Sequence, residues 1–295
     1  MKIINQRIMS EIVNRLPKNR KAKPPGKLPT LRAVEAKYRI GLRQITREFQ
    51  SYILENIALF RVRTDADSTR FNLFLDEFER LYLGKIRLLV TNVEAGTDEI
   101  NRQKYEMGIY GKLAITSFLD RDKHKALLNN WVERNVGLIT ETNTEQVKKL
   151  EGLFKDSAFS GIRAKALESG VAEILARTQS RIELIALDQI QKLGGQLDQL
   201  RQTSAGIEGY YWRSARDERV RAKHAELEGQ YFRWDSPPLE GHPGQAIRCR
   251  CDAEPAIDKL IGESETEIDR LNEDRNRKAK SKSRAYQALL HKKTK

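Results

Sequence analysis

The chain has 295 residues, 39% hydrophobic and 32% charged, which allows one large or two modest domains with an ordinary core. Aromatics at 7% argue against a large β-sandwich, and no apolar run approaches the roughly 18–20 residues of a membrane span. The net charge of +13 sits at the ends: residues 1–47 hold 13 Lys/Arg against 2 Asp/Glu, and residues 270–295 hold 10 against 2, around a mildly acidic middle.

Basic ends on an acidic body are the usual footprint of contact with a polyanion, nucleic acid first among them. The N-terminal segment MKIINQRIMSEIVNRLPKNRK is charged early and lacks a continuous apolar stretch, so no signal peptide is expected. Pro17, Pro24, Pro25 and Pro29 among lysines make 1–30 a basic, extended arm. Helix is expected next, with Thr30 as N-cap. Leu31, Val34, Tyr38, Leu42, Ile45, Phe49, Ile53, Ile57 and Phe60 recur at spacings of three or four, the helical period. One apolar face of that length needs a partner, either another helix or a larger assembly.

A second helix carries Phe71, Phe74, Leu75, Phe78, Leu81 and Leu89 and is expected to stop before Ala95-Gly96-Thr97. A third runs from about Asp98 to Leu119, and a further apolar segment starts at Trp131. Thr142 and Glu145 fit a capping box that opens another helix, and 161–175 and 178–201 read as two more. Together 31–205 form a helical body. The texture changes at Gly206. Gly209–Ser214 and Gln230–Trp234 read as strands, Arg216–Leu227 as a short helix with Asp217 near its start, and Ser236–Gln245 as a Pro/Gly-rich loop. The expectation is a mainly α protein with a small C-terminal α+β module over 206–258, long amphipathic helices, and a basic polar tail over 259–295.

Both cysteines of the chain, two of its four histidines and two of its three tryptophans fall between Trp212 and Cys251. His224, His242, Cys249 and Cys251 could supply the four N/S ligands of one structural zinc, which would staple a module too small to bury much apolar area. The same residues could instead serve as a helix-end histidine, a hydrogen-bonded loop histidine and two small buried thiols. Asp217 and His224, seven residues apart, could share one helix face as an acid/base or metal pair. No nucleophile elbow, Walker loop, HExxH or paired-carboxylate motif accompanies them, so a non-enzymatic role is expected. A metal-dependent hydrolase or nuclease using Asp217, His224 and the cysteines is the rival. Trp212 and Trp234 read as core anchors of the module.

The run Gly206-Ile207, Tyr210, Trp212-Arg213, Asp217, Arg219-Val220-Arg221, His224, Leu227, Gly229, Phe232, Gly241-His242-Pro243-Gly244, Cys249-Arg250-Cys251 and Pro255 resembles the head-morphogenesis (Mu protein F-like) family of tailed-phage minor head proteins. Weaker similarity extends upstream through Asn135-Val136, Leu138-Ile139, Arg181, Ile185-Ala186, Asp188-Gln189 and Lys192. The resemblance implies a minor capsid protein at the portal vertex of the procapsid, inside the head, assembled in the host cytoplasm. Its implied work is head assembly, extending to DNA packaging or release. Its implied partners are portal protein and capsid or scaffold proteins. The helix beginning at Leu31 is the expected anchor, and the basic arms would hold phage double-stranded DNA without sequence preference.

Overall fold

The computed structural model describes residues 30–56, 65–107, 115–160, 164–217, 219–257 and 259. Four long helices dominate: α1 (Arg32–Glu55), α2 (Asp65–Glu106), α3 (Arg121–Ser160) and α4 (Ala164–Ser204), with a 3-10 turn at Ile115–Phe118 before α3. In α1 the spacing of three and four becomes one buried stripe of Val34, Tyr38, Leu42, Ile45, Phe49 and Ile53. Fully burying a side chain of this kind is worth about 1.5–3 kcal/mol. Ile57, Phe60, the N-terminal arm up to residue 29 and the tail from 260 onward lie outside the described residues.

The partner of that stripe is the rest of the bundle. Helix α1 packs on α2 and α4, α2 on α3 and α4, and α3 on α4. Ile86 and Val90 of α2, Trp131 and Leu150 of α3, and Ile182 and Leu193 of α4 share the same core. The apolar face expected to anchor the chain to a larger assembly is therefore covered internally. Leu31, not Thr30, occupies the N-cap position, and it makes no side-chain capping bond.

Three expected helix breaks are absent, for one reason. Thr97, Thr142 and Thr178 each turn the hydroxyl back onto the carbonyl four residues earlier, at 2.8, 2.8 and 3.0 Å. A threonine satisfied in this way costs the helix little. Burial of the flanking stripes decides the matter. So α2 runs through Ala95-Gly96-Thr97, the expected capping box lies inside α3, and 161–175 and 178–201 merge into α4.

Past α4 the chain builds an antiparallel sheet of β1 (Gly209–Arg213), β2 (Tyr231–Arg233) and β3 (Asp252–Pro255) in the order β2-β1-β3. Tyr210 faces Phe232 and Pro255 across the ladders, and Trp212 faces Ala253. Residues two apart share a face, and Tyr210, Trp212 and Ala253 bury theirs with Trp234, Cys249 and Cys251. Strand β3 has no strand-like composition; its pairing with β1 creates it. The helix expected over Arg216–Leu227 shrinks to α5 (Ala222–Glu226). Arg216 takes a left-handed φ of 52° and Arg221 is extended at φ −65°, ψ 144°, so helical backbone cannot continue upstream.

Two features fix the module on the bundle. One is backbone contact: a Cβ at Gly195 of α4 would meet the Pro243 carbonyl oxygen at 2.5 Å, and one at Gly244 (φ +84°) would meet that of Gln191 at 2.5 Å. The other is a buried polar seam. Lys104 of α2 pairs with Asp198 of α4 at 2.9 Å and Asp252 of β3 at 2.7 Å. Beside it, Asn101 donates to Asp198 at 2.8 Å, and Arg201 Nε donates to Asn101 at 2.7 Å. Gln202 donates to Tyr105 and to the Ala253 carbonyl, and accepts from the Trp234 indole at 3.0 Å. Burial raises the Asp198 carboxyl to about 7, with Lys104 opposing. Burial works against the Lys104 ammonium too, but the two aspartates outweigh it and hold its pKa well above the ordinary lysine value.

Candidate metal-ligand cluster and adjoining cleft

Helix α5 presents His224, and the turn entering β3 presents Cys249 and Cys251. That turn exists because Arg248 adopts φ 58° while its N–H donates to Asp188 of α4 at 3.3 Å, and Cys249 N–H closes onto the Ala246 carbonyl at 2.9 Å. The Cys-x-Cys pair therefore sits between this turn and β3. Both sulfurs reach His224 Nδ1, Cys249 Sγ at 3.6 Å and Cys251 Sγ at 3.5 Å. The three donor atoms lie within 4.8 Å of one another and all three residues are buried. Trp212 packs edge-on against the imidazole, 5.3 Å between centroids at 82°.

The electrostatics of the pair are asymmetric. Hydrogen bonding from Cys251 lowers the Cys249 pKa to about 5 against the penalty of burial, with the Gly244 N–H, 3.4 Å from the sulfur, and His224 assisting. The Cys251 thiol is pushed up, first by that same bond to Cys249 and then by burial. The other imidazole nitrogen, His224 Nε2, is buried without a hydrogen-bond partner and lies 3.8 Å from Glu240 Oε2.

His242 does not join this group. The Tyr210 hydroxyl bonds its Nδ1 at 2.9 Å, a Trp234 backbone hydrogen bond engages the ring as well, and burial lowers its pKa. Its ring packs on Trp234 with centroids 4.9 Å apart. It pins the Gly241–Gly244 loop to the sheet, which is the loop role that the sequence left open. Trp212 and Trp234 are core side chains, as expected.

Asp217 is not a partner of His224. Arg250 grips its carboxylate at 2.5 and 2.7 Å, and one oxygen also accepts the Arg219 N–H at 3.1 Å. The Arg250 bond holds the Asp217 carboxyl below the usual aspartate range. Arg221 donates to the Ile247 carbonyl at 2.6 Å. Glu228 gathers Arg216 at 2.7 Å and the Ser214 N–H at 2.6 Å, and these hold it at about 2 despite burial. The arginines of the module thus mainly tie loops together.

A cleft of ≈ 590 Å³ opens where bundle and module meet, lined among others by Glu35, Lys104, Asp198, Arg213, Arg250 and Cys251. Sequence reading missed the seam behind it. A signal was available: Asn101, Lys104 and Tyr105, and Asp198, Arg201 and Gln202, recur at helical spacing, where a surface helix would show apolar residues. Nothing in the sequence marked Glu240.

A helical bundle closed at one end by a small sheet, with a histidine and a Cys-x-Cys pair buried beneath it, defines a two-part class of protein: a body and an appended α+β module. Residues 148–254, from within α3 to β3, match the family described as Phage Mu protein F like protein. An uncharacterized protein of Haemophilus influenzae (strain Rd) is similar, 34% identical over 125 residues. The alignment takes in 42% of this chain and 28% of that protein, so the chain spans less than a third of that relative's length. No solved structure matches the chain. Among the described residues no helix is long and apolar enough to cross a membrane.

Proposed function

We propose that the protein is a minor head protein of a tailed phage that associates with the portal vertex and acts in head morphogenesis, with a further part in DNA packaging or ejection. The observation that carries this reading is the Mu protein F-like match over 148–254, which takes in α4, the sheet and the His/Cys cluster. The charge layout supports it: basic ends can hold packaged DNA while a mildly acidic body docks on protein. The docking surface cannot be the α1 stripe, which the bundle covers. Leu73, Leu81 and Leu88 of α2 remain exposed and are better candidates.

A metal-dependent hydrolase or nuclease would need Asp217 free beside His224, and Arg250 occupies that carboxylate. The function is therefore read as structural. Coexpression of the full chain with the portal protein of its own phage tests it. Co-elution is expected, weakened by Leu81→Glu together with Leu88→Glu. A chain that neither co-elutes with portal nor enters heads overturns the reading. On duplex DNA, if about 6–10 phosphates are engaged, affinity falls on the order of 10³–10⁵-fold between roughly 50 and 200 mM salt. Removing residues 1–30 and 270–295 should flatten that slope. A truncated body that binds as well as the whole chain rules out the arms as the DNA contact.

A further inference from the structure

We infer that His224, Cys249 and Cys251 form a three-ligand site for a thiophilic divalent cation, zinc above all, stapling α5 to the turn that enters β3. The distances carry the argument. Zinc bonds of about 2.3 Å to sulfur and about 2.0–2.1 Å to nitrogen, at tetrahedral angles, put each sulfur about 3.6 Å from the nitrogen. The two observed separations are 3.6 and 3.5 Å, both to the same Nδ1. A two-centre hydrogen bond accounts for only one of them, because an imidazole nitrogen carries either one proton or one lone pair. A shared cation accounts for both.

The surroundings point the same way. Ligating imidazoles present their second nitrogen to a carboxylate, carbonyl or water, and His224 Nε2 is buried, without a hydrogen-bond partner, and 3.8 Å from Glu240 Oε2. Cys249 Sγ already receives the Gly244 N–H, the kind of donor that steadies a thiolate. Two sulfurs and an imidazole exclude calcium and magnesium, which take oxygen ligands. The module has need of a staple: its buried cluster is Tyr210, Trp212, Trp234, Ala253 and the cysteines themselves. His242 is committed to Tyr210 and Trp234, so the fourth ligand of the staple falls to a donor outside the trio.

Full-length protein purified without chelator is expected to carry about one zinc per chain by elemental analysis. After metal removal it should take up Co(II) with the intense visible bands of a tetrahedral site and sulfur charge-transfer bands. Cys249→Ser and Cys251→Ser should each weaken the sulfur bands, and the double variant should abolish them. Glu240→Gln should weaken affinity about 10–100-fold, and His242→Gln should keep the metal. Where a cysteine variant fails to fold, the wild-type chain decides alone, since bound metal must protect both thiols from alkylation. A wild-type chain that takes up neither zinc nor Co(II) overturns the proposal. So does a folded His242→Gln protein that has lost the metal, or a Cys249→Ser protein that retains the sulfur bands undiminished.

Discussion

The bundle and the module are held together by different physics. Four helices bury continuous apolar stripes, so any one contact in the bundle is one of many, and the threonines and glycines along α2, α3 and α4 leave the helices unbroken. The module has short strands, a five-residue helix and a handful of buried aromatics. Its order depends on named polar contacts: Asp217 with Arg250, Glu228 with Arg216 and Ser214, His242 with Tyr210. Tolerance to substitution should therefore be broad in the bundle and narrow in the module. The seam through Lys104 is where the two regimes meet.

The largest effect is expected at that seam. Lys104→Met leaves Asp198 buried and Asp252 half-buried without their cation, a loss of about 3–5 kcal/mol. Urea denaturation should show bundle and module failing together. If the far-UV midpoint holds while the near-UV signal of Trp212 and Trp234 collapses, the two regions are less coupled than the seam implies.

Next comes a pH dependence carried by Asp198. Its pKa rises from 3.8 to about 7 on folding, so its contribution is present in full below 3.8 and is lost as pH climbs through about 7. Asp198→Asn removes that titration. Stability measured at several pH values should show the wild type losing ground to the variant across that interval, on the order of a few kcal/mol. A pH-independent difference would contradict the burial of an ionisable carboxyl there.

Smaller, and of opposite sign in the two settings, are two glycine substitutions. Gly195→Ala drives a methyl into the Pro243 carbonyl and should cost about 1–3 kcal/mol, seen as loosening of the module. Gly137→Ala, with nothing within 4 Å of the added carbon, should gain up to about 1 kcal/mol from helix propensity. Thermal melts of the two variants moving in the same direction would mean that Gly195 is not a docking point.

The stripe of α1, the change of texture at Gly206 and the first two strands were legible in the sequence because period 3.6 and period 2 are local properties of the chain. Helix ends were not. A threonine that caps and a threonine that bonds back to its own helix have the same sequence, and burial of the flanks chooses between them. The His/Cys cluster was legible in composition, since rare residue types converge within the module. Its membership was not: His242 and His224 look alike until the fold gives one to Tyr210 and the other to two sulfurs.

By itself the sequence determined the mainly helical body, the small α+β module and the basic ends, which follow from residue type and spacing; the run from Gly206 to Pro255 added the resemblance to the Mu protein F-like family. The tertiary structure alone decided that α1 is covered by its own bundle, that Lys104 is caged by aspartates from α4 and β3, that Asp217 belongs to Arg250, and that β3 exists. Each of these joins residues far apart in the chain, in some cases by more than a hundred positions, and the energy of such a contact depends on burial and distance, which no local pattern encodes.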